Sequence, residues 1–138
     1  MNYILDTNVL SELRKLNKAH AAVRRWVAKV DMRDFYLSAI TLYELQLGIL
    51  QLARRDRDHA AMLTSWLDTR VMPAFANRVL PVDAAVALRC AVLHVPDPRS
   101  LRDSIIAATA MVHGMTVVTR NVEDFQDTGA RLLNPWEM

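Results

Sequence analysis

Short apolar runs alternate with longer stretches of helical period along all 138 residues, and that alternation leaves few architectures open. The runs of strand length are Asn2 to Asp6, Phe35 to Ser38, Arg78 to Pro81, Met115 to Thr119 and Arg131 to Leu133. Between the first two, Val9 to Arg14 and Ala19 to Lys29 read as helices; after the second, Leu42, Leu45, Ile49 and Leu52 follow amphipathic helical spacing. Further helices are predicted over Asp58 to Asp68, over Ala84 to about His94 behind an Asp83 cap, and over Arg102 to His113, where Gly114 supplies a favoured stop. Strands that alternate with helices pair in parallel through helical crossovers. The predicted fold is therefore α/β: three layers, α/β/α, around a central, mainly parallel sheet. One domain accounts for residues 1–138, with no internal repeat and no Gly/Ser linker.

A chain of this size buries roughly two-thirds of its unfolded surface and needs no covalent staple. Its single cysteine, Cys90, lies among Ala87, Leu88, Ala91 and Val92 and reads as an inert core thiol in a reducing, cytosolic compartment. Neither a secretory leader nor a membrane span is expected. Asp6 breaks the first apolar run, Glu44 splits the next, and the uncharged run Ser104 to Thr119 is short and holds His113 and Gly114. The four histidines lack paired zinc spacing, and the chain has no Gly-rich phosphate loop. Trp26, Trp66 and Trp136 read as packing or subunit-contact residues. The net charge of +2 is too small to signal nucleic acid by itself. Seven basic residues and one acid nevertheless lie between Arg14 and Arg33, and Arg54, Arg55 and Arg57 form a second cluster. A solvated helix face is the ordinary reading of such runs, with phosphate binding the second.

Ligands of open parallel sheets bind beyond the carboxyl ends of the strands. Asp6 ends the first strand, Glu44 falls early in the helix after the second, and Asp103 opens the helix before the Met115 strand. Asn121 and Asp124 follow that strand. Each acid also has a plain structural use. Thr41 to Glu44 and Ser100 to Asp103 have capping-box spacing, Asp6 can cap the helix behind it, and Asp124 can be a turn residue. Taken singly, the capping readings are the stronger. Taken together, Gly48 and Ala107, each four residues after an acid, leave room over Glu44 and Asp103 that a cap does not need. Close helix packing would also ask for the glycine. Grouped carboxylates without a salt-bridge partner repel one another, and a divalent cation removes that conflict. An oxygen-only set suits Mg²⁺ or Mn²⁺, which can polarise a phosphodiester and lower the pKa of a bound water.

Four segments then carry a resemblance. Leu5-Asp6-Thr7-Asn8-Val9-Leu10, the run Ser38 to Gly48 containing Tyr43-Glu44-Leu45, Arg102-Asp103-Ser104-Ile105-Ile106-Ala107-Ala108-Thr109-Ala110, and Val117 to Phe125 resemble the ordered motifs of PIN-domain ribonucleases. Within that family the chain looks most like the VapC-like toxins of type II toxin–antitoxin pairs, and Asn134-Pro135-Trp136 is similar to the ending of a subgroup. The resemblance implies a Mg²⁺-dependent endoribonuclease, with Mn²⁺ as substitute, that cleaves RNA with metal-activated water and leaves a 5′-phosphate and a 3′-hydroxyl. It implies a homodimer held inactive by a cognate antitoxin, with operator DNA reached only through that antitoxin and no membrane partner.

Carried over by position, Asp6, Glu44 and Asp103 match the catalytic acids, with Asp6 and Asp103 as direct metal ligands and Glu44 completing the pocket. Relatives vary between an acid at the position of Asn121 and one at that of Asp124, so either Asp124 is the fourth catalytic acid or the site runs on three. Arg120, Arg14 and Lys15 are candidate contacts to the RNA backbone; for Arg14 and Lys15 surface solubility explains the charge equally well. Met62 and Met72 mark a candidate antitoxin-facing region. The rival reading is a catalytically weak module of the same fold that binds RNA or a protein partner. A phosphoryl-accepting receiver is disfavoured because Lys15, Lys18 and Lys29, the only lysines, all precede the second strand. An aspartyl-phosphate phosphatase is disfavoured because Asn8 stands two positions after Asp6, where a second Asp is wanted.

Overall fold

The computed structural model describes residues 1–138. Five short strands, β1 (Tyr3–Leu5), β2 (Phe35–Ser38), β3 (Val79–Leu80), β4 (Thr116–Val118) and β5 (Arg131–Leu133), form one sheet in the order β3-β2-β1-β4-β5. Every neighbouring pair is parallel, so the sheet is wholly rather than mainly parallel. The helices are α1 (Thr7–Leu13), α2 (Ala21–Lys29), α3 (Ala39–Ala53), α4 (Arg57–Trp66), the single turn α5 (Met72–Ala74), α6 (Ala84–Val92) and α7 (Leu101–His113). None is long and apolar enough to cross a membrane.

Side chains alternate across the pleat, and the strands use both faces. Ile4 and Val117 point into a core built with Val86, Cys90, Ile105 and Ile106 from α6 and α7. Leu5 and Val118 point the other way, into a core with Val9, Trp26, Phe35, Leu37 and Ile49 beneath the earlier helices. Burying a Leu, Ile or Val side chain contributes about 1.5–3 kcal/mol, which is why strands of so few residues hold. Trp26 stacks on Phe35 at 5.4 Å between centroids and meets Tyr3 edge-on at 5.3 Å, a packing role. Cys90 is buried, and desolvation pushes its thiol pKa above the ordinary value.

Helix starts follow the best available cap. Ser38 accepts from the Ile40 N–H at 3.2 Å, so α3 begins at Ala39. The Thr41–Glu44 capping box expected from spacing does not form, because a serine at the end of β2 caps the chain earlier. Glu44 therefore lies in the second turn, with its carboxylate free of any cap duty. Asp83 caps α6 through the Val86 N–H at 3.0 Å, and Gly114, at φ +67°, ends α7 in the left-handed conformation. The helix predicted to end at Asp68 runs further: after Trp66 it widens into a π-helical stretch, Leu67–Val71, before α5. Pro73 stands inside α5, and its ring leaves no N–H to donate back into the preceding turn.

From β1 the chain runs out to β2 and β3 on one side, then returns to β4 on the other. The two directions part between β1 and β4, and such a switch point leaves a crevice at the carboxyl ends of the strands. Asp6 and Thr119 stand at that crevice, where the Asp6 N–H donates to the Val118 carbonyl at 2.9 Å.

Gly48 lies inside α3, and a Cβ there would meet nothing within 4 Å. Close helix packing therefore does not explain the glycine. A glycine in a helix interior costs about 0.5–1 kcal/mol relative to alanine, so Gly48→Ala is expected to raise the unfolding free energy by about that amount in a urea titration.

Candidate active site

Asp6 follows β1 with 1% of its surface exposed and uses both carboxylate oxygens. Oδ1 accepts from the Thr7 N–H at 2.8 Å, capping α1, and from Arg102 Nη1 at 2.6 Å. Oδ2 accepts from the Thr119 hydroxyl at 2.8 Å and from Asn8 Nδ2 at 3.3 Å. Asn8 in turn accepts from the Arg120 N–H at 3.2 Å, which ties the start of α1 to the segment after β4. The sheet order makes this possible, since only adjacent β1 and β4 bring Asp6 beside Thr119.

Glu44 reaches the same place from α3. Its Oε2 lies 2.9 Å from Arg102 Nε, and its Oε1 accepts from the Thr7 hydroxyl. Asp103 comes from the first turn of α7, where the Ser100 hydroxyl accepts from the Asp103 N–H at 3.3 Å. Its Oδ1 is buried beside Arg102 Nη2 without a well-aligned hydrogen bond. The structure thus brings Asp6, Glu44 and Asp103 together around a single guanidinium. The hollow in front of Asp6 and Glu44, about 300 Å³, is lined only by polar residues, Asp6, Thr7, Asn8, Ser11, Glu44, Arg102 and Asn121; Asp103 is buried and does not line it.

Arg102 is the residue that sequence reasoning missed. The carboxylates were expected to lack a salt-bridge partner; instead each is paired with one nitrogen of the same side chain. The available signal was its position next to Asp103 at the start of a helix whose N-terminus faces the rim. Burial works against its charge, but the hydrogen bond it donates to Asp6 and the charges of Asp6, Asp103 and Glu44 outweigh it and hold its pKa above the ordinary value. Burial pushes the Asp103 pKa up, and the negative charges of Asp6, Asp124 and Glu44 add to that effect against the opposing pull of Arg102.

The remaining candidates divide. Asn121 lines the hollow, whereas Asp124 sits on the exposed 3₁₀ turn Val122–Phe125, outside the lining but near enough to act on Asp103. Arg120 lays its guanidinium over the Trp136 ring at 5.3 Å and does not line the hollow. Gly48 does flank Glu44, in a second hollow of about 420 Å³ that continues past Arg14, Arg55 and His59 to Trp66. Ala107 leaves no room over Asp103, because it is fully buried in the α6–α7 core.

No three His, Cys, Asp or Glu side chains stand in metal-ligating geometry, since the flat guanidinium is broader than an ion and keeps the carboxylates around its rim. The donor set nevertheless fits a hard divalent cation. It is all oxygen and already converges on a cation, and its three acids face only one positive charge. A metal here would be held by Asp6 and Asp103, with Glu44 opposite.

Comparison with known proteins identifies the family. The PIN domain profile matches residues 3–130. The VapC ribonuclease Y4jK of Sinorhizobium fredii is 37% identical over 139 residues, which span 97% of each chain. Toxin FitB of Neisseria gonorrhoeae is 36% identical over 139 residues, spanning 96% of this chain and 97% of that one. Among solved structures, FitAB bound to an IR36 DNA fragment superposes with a TM-score of 0.85 at 33% identity, covering 99% of this chain and 96% of that one.

The raised pKa of Asp103 has a consequence for stability. An acid whose pKa is raised by folding destabilises the fold above that pKa and ceases to do so once protonated. Asp103→Asn is therefore expected to stabilise chelator-treated protein at pH 7, measured by urea unfolding. The gain should shrink as the pH falls through the raised pKa of Asp103, from above the ordinary carboxylate range down into it.

Proposed function

The chain belongs to the PIN-domain family, and on that premise we propose that it is the toxin of a toxin–antitoxin pair, a metal-dependent endoribonuclease. The observation that carries this reading is the convergence of Asp6, Glu44 and Asp103 on one cation position in an open polar hollow. Relatives named as a ribonuclease and as a toxin, each similar over nearly the whole chain, support it.

A Mg²⁺ or Mn²⁺ ion bound there would neutralise charge on a phosphodiester and lower the pKa of a bound water. The chain's own residues supply the rest. Asp6 is fixed by Thr7, Thr119 and Asn8, so its carboxylate needs no reorganisation to hold a ligand. Asp103 faces it from α7. Glu44, the more exposed acid, is held by the Thr7 hydroxyl and orients the attacking water. Asn121 offers hydrogen bonds at the lip without charge, and Asp124 adds negative potential as the fourth acid. Arg14, Arg55 and His59 line the hollow continuing from Glu44, and the charge of the two arginines suits an RNA backbone entering along that path.

The partners follow the same reading. An apolar hollow of about 190 Å³, formed by Leu10, Leu13, Phe35, Trp66, Val71 and Phe75, provides a seat for an antitoxin segment. Met62 lies beside it with Trp66 and Arg70, and Met72 is exposed nearby. The exposed stripes Tyr43, Leu47 and Leu50 on α3, and Leu88 and Val92 on α6, supply surface for a second copy of the chain. Operator DNA is contacted through the antitoxin alone. One observation favours the rival reading of a binding module without turnover: the carboxylates are already occupied by Arg102.

Antitoxin-free protein is expected to cut mixed-sequence RNA oligonucleotides in Mg²⁺ or Mn²⁺ and to stop on addition of chelator. Asp6→Ala and Asp103→Ala should each reduce the rate by about a hundredfold or more, since a metal site contributes several kcal/mol to the transition state. Undiminished RNA binding without cleavage in either metal would establish the rival, and full activity in Asp6→Ala would overturn the site.

A further inference from the structure

Arg102 stands where the three acids converge, and its three guanidinium nitrogens are each taken by a different carboxylate. We propose that Arg102 is the resident cation of the metal-free site and that a divalent metal binds only by displacing it. The inference rests on the reading that this acid cluster takes a divalent ion.

Two features make the exclusion mutual. The guanidinium nitrogens lie 2.6 Å from Asp6 Oδ1 and 2.9 Å from Glu44 Oε2. Mg²⁺ at the point where the acids converge would need their oxygens at about 2.0–2.1 Å, closer than the guanidinium nitrogens now held there, so ion and guanidinium cannot share that position. Two cations at one point would also repel each other. A third feature makes the resident necessary: Asp6 is buried, and without Arg102 its carboxylate would face Glu44 and Asp103 with only neutral donors around it. A fourth makes it removable. Arg102 is anchored on the first turn of α7, whose cap is Ser100, and its long side chain reaches across an open hollow. It can leave the carboxylates without any movement of the helix.

The apparent metal affinity is then the intrinsic affinity of the carboxylates reduced by the cost of expelling Arg102. The same side chain steadies the fold when metal is scarce and keeps the site from loading at low metal concentration.

The direct comparison is Mn²⁺ binding, followed by the electron paramagnetic resonance of free Mn²⁺, in wild type and Arg102→Ala. The variant is expected to bind Mn²⁺ about tenfold more tightly or better. It should also melt lower than wild type in chelator and gain more in melting temperature from saturating Mn²⁺. Arg102→Gln, closer in length, serves if the alanine variant does not fold. A readout on the unaltered protein stands beside these: the ¹⁵N-labelled Arg102 Nε–H, ion-paired with Glu44 in chelator, should shift or exchange rapidly on saturation with Mg²⁺. Equal Mn²⁺ affinity in wild type and variants, or an Arg102 signal unchanged by saturating Mg²⁺, overturns the proposal while leaving a metal site standing. Absence of Mn²⁺ binding in every protein overturns both.

Discussion

A carboxylate buried at the end of the central strand sets the terms for this fold. Asp6 is almost wholly removed from water, and an ionised group so placed must find donors and a counter-charge inside the protein. The donors come from Thr7, on its own helix, and from Thr119, across the crevice at the end of β4. The counter-charge comes from Arg102 on α7. Thr119 would be out of reach if β1 and β4 were not neighbours, so the strand order and the electrostatics of the site depend on each other. Glu44 and Asp103 then join the cluster because their helices also meet that rim.

Capping and chemistry are not alternatives here. Asp6 caps α1 with one oxygen and still presents its carboxylate to the hollow, and Ser100 caps α7 with Asp103 aligned behind it. The hydrogen bonds to the Asp6 carboxylate fix the rotamer of a side chain that would otherwise need ordering when a ligand arrives. Glu44 differs, because Ser38 takes the cap and leaves it free to reach Thr7 and Arg102. The cluster retains more negative than positive charge, which costs stability and favours a cation. A PIN-domain chain that used these acids only as caps would not need to gather them.

Much of this was legible in the sequence. The strands β1, β2 and β4 were plain because they are buried on both faces, whereas β3 and β5, at the edges, carry no fully buried residue; the bounds read for Phe35 to Ser38 and Arg131 to Leu133 match β2 and β5. The acids were legible one at a time, by their places at strand ends and helix starts. Their convergence was not, because alternation of strands and helices does not fix the strand order. Arg102 was harder still: an arginine in the first turn of a helix is ordinarily a solvated surface residue, and its pairing with Asp6 joins opposite ends of the chain. Misplacing the start of α3 by three residues turned Glu44 into an apparent cap, since spacing alone does not rank Ser38 above Thr41. Ala107 misled for a related reason, as a small residue beside an acid can equally be a tightly packed core position.

Diffraction from a crystal soaked in Mn²⁺, recorded for the anomalous signal of manganese, tests the central claim most directly. The account predicts one strong peak between Asp6 and Asp103, facing Glu44, with the Arg102 side chain withdrawn from all three carboxylates. A crystal that takes up manganese only elsewhere, with Arg102 still bridging the acids, would contradict it.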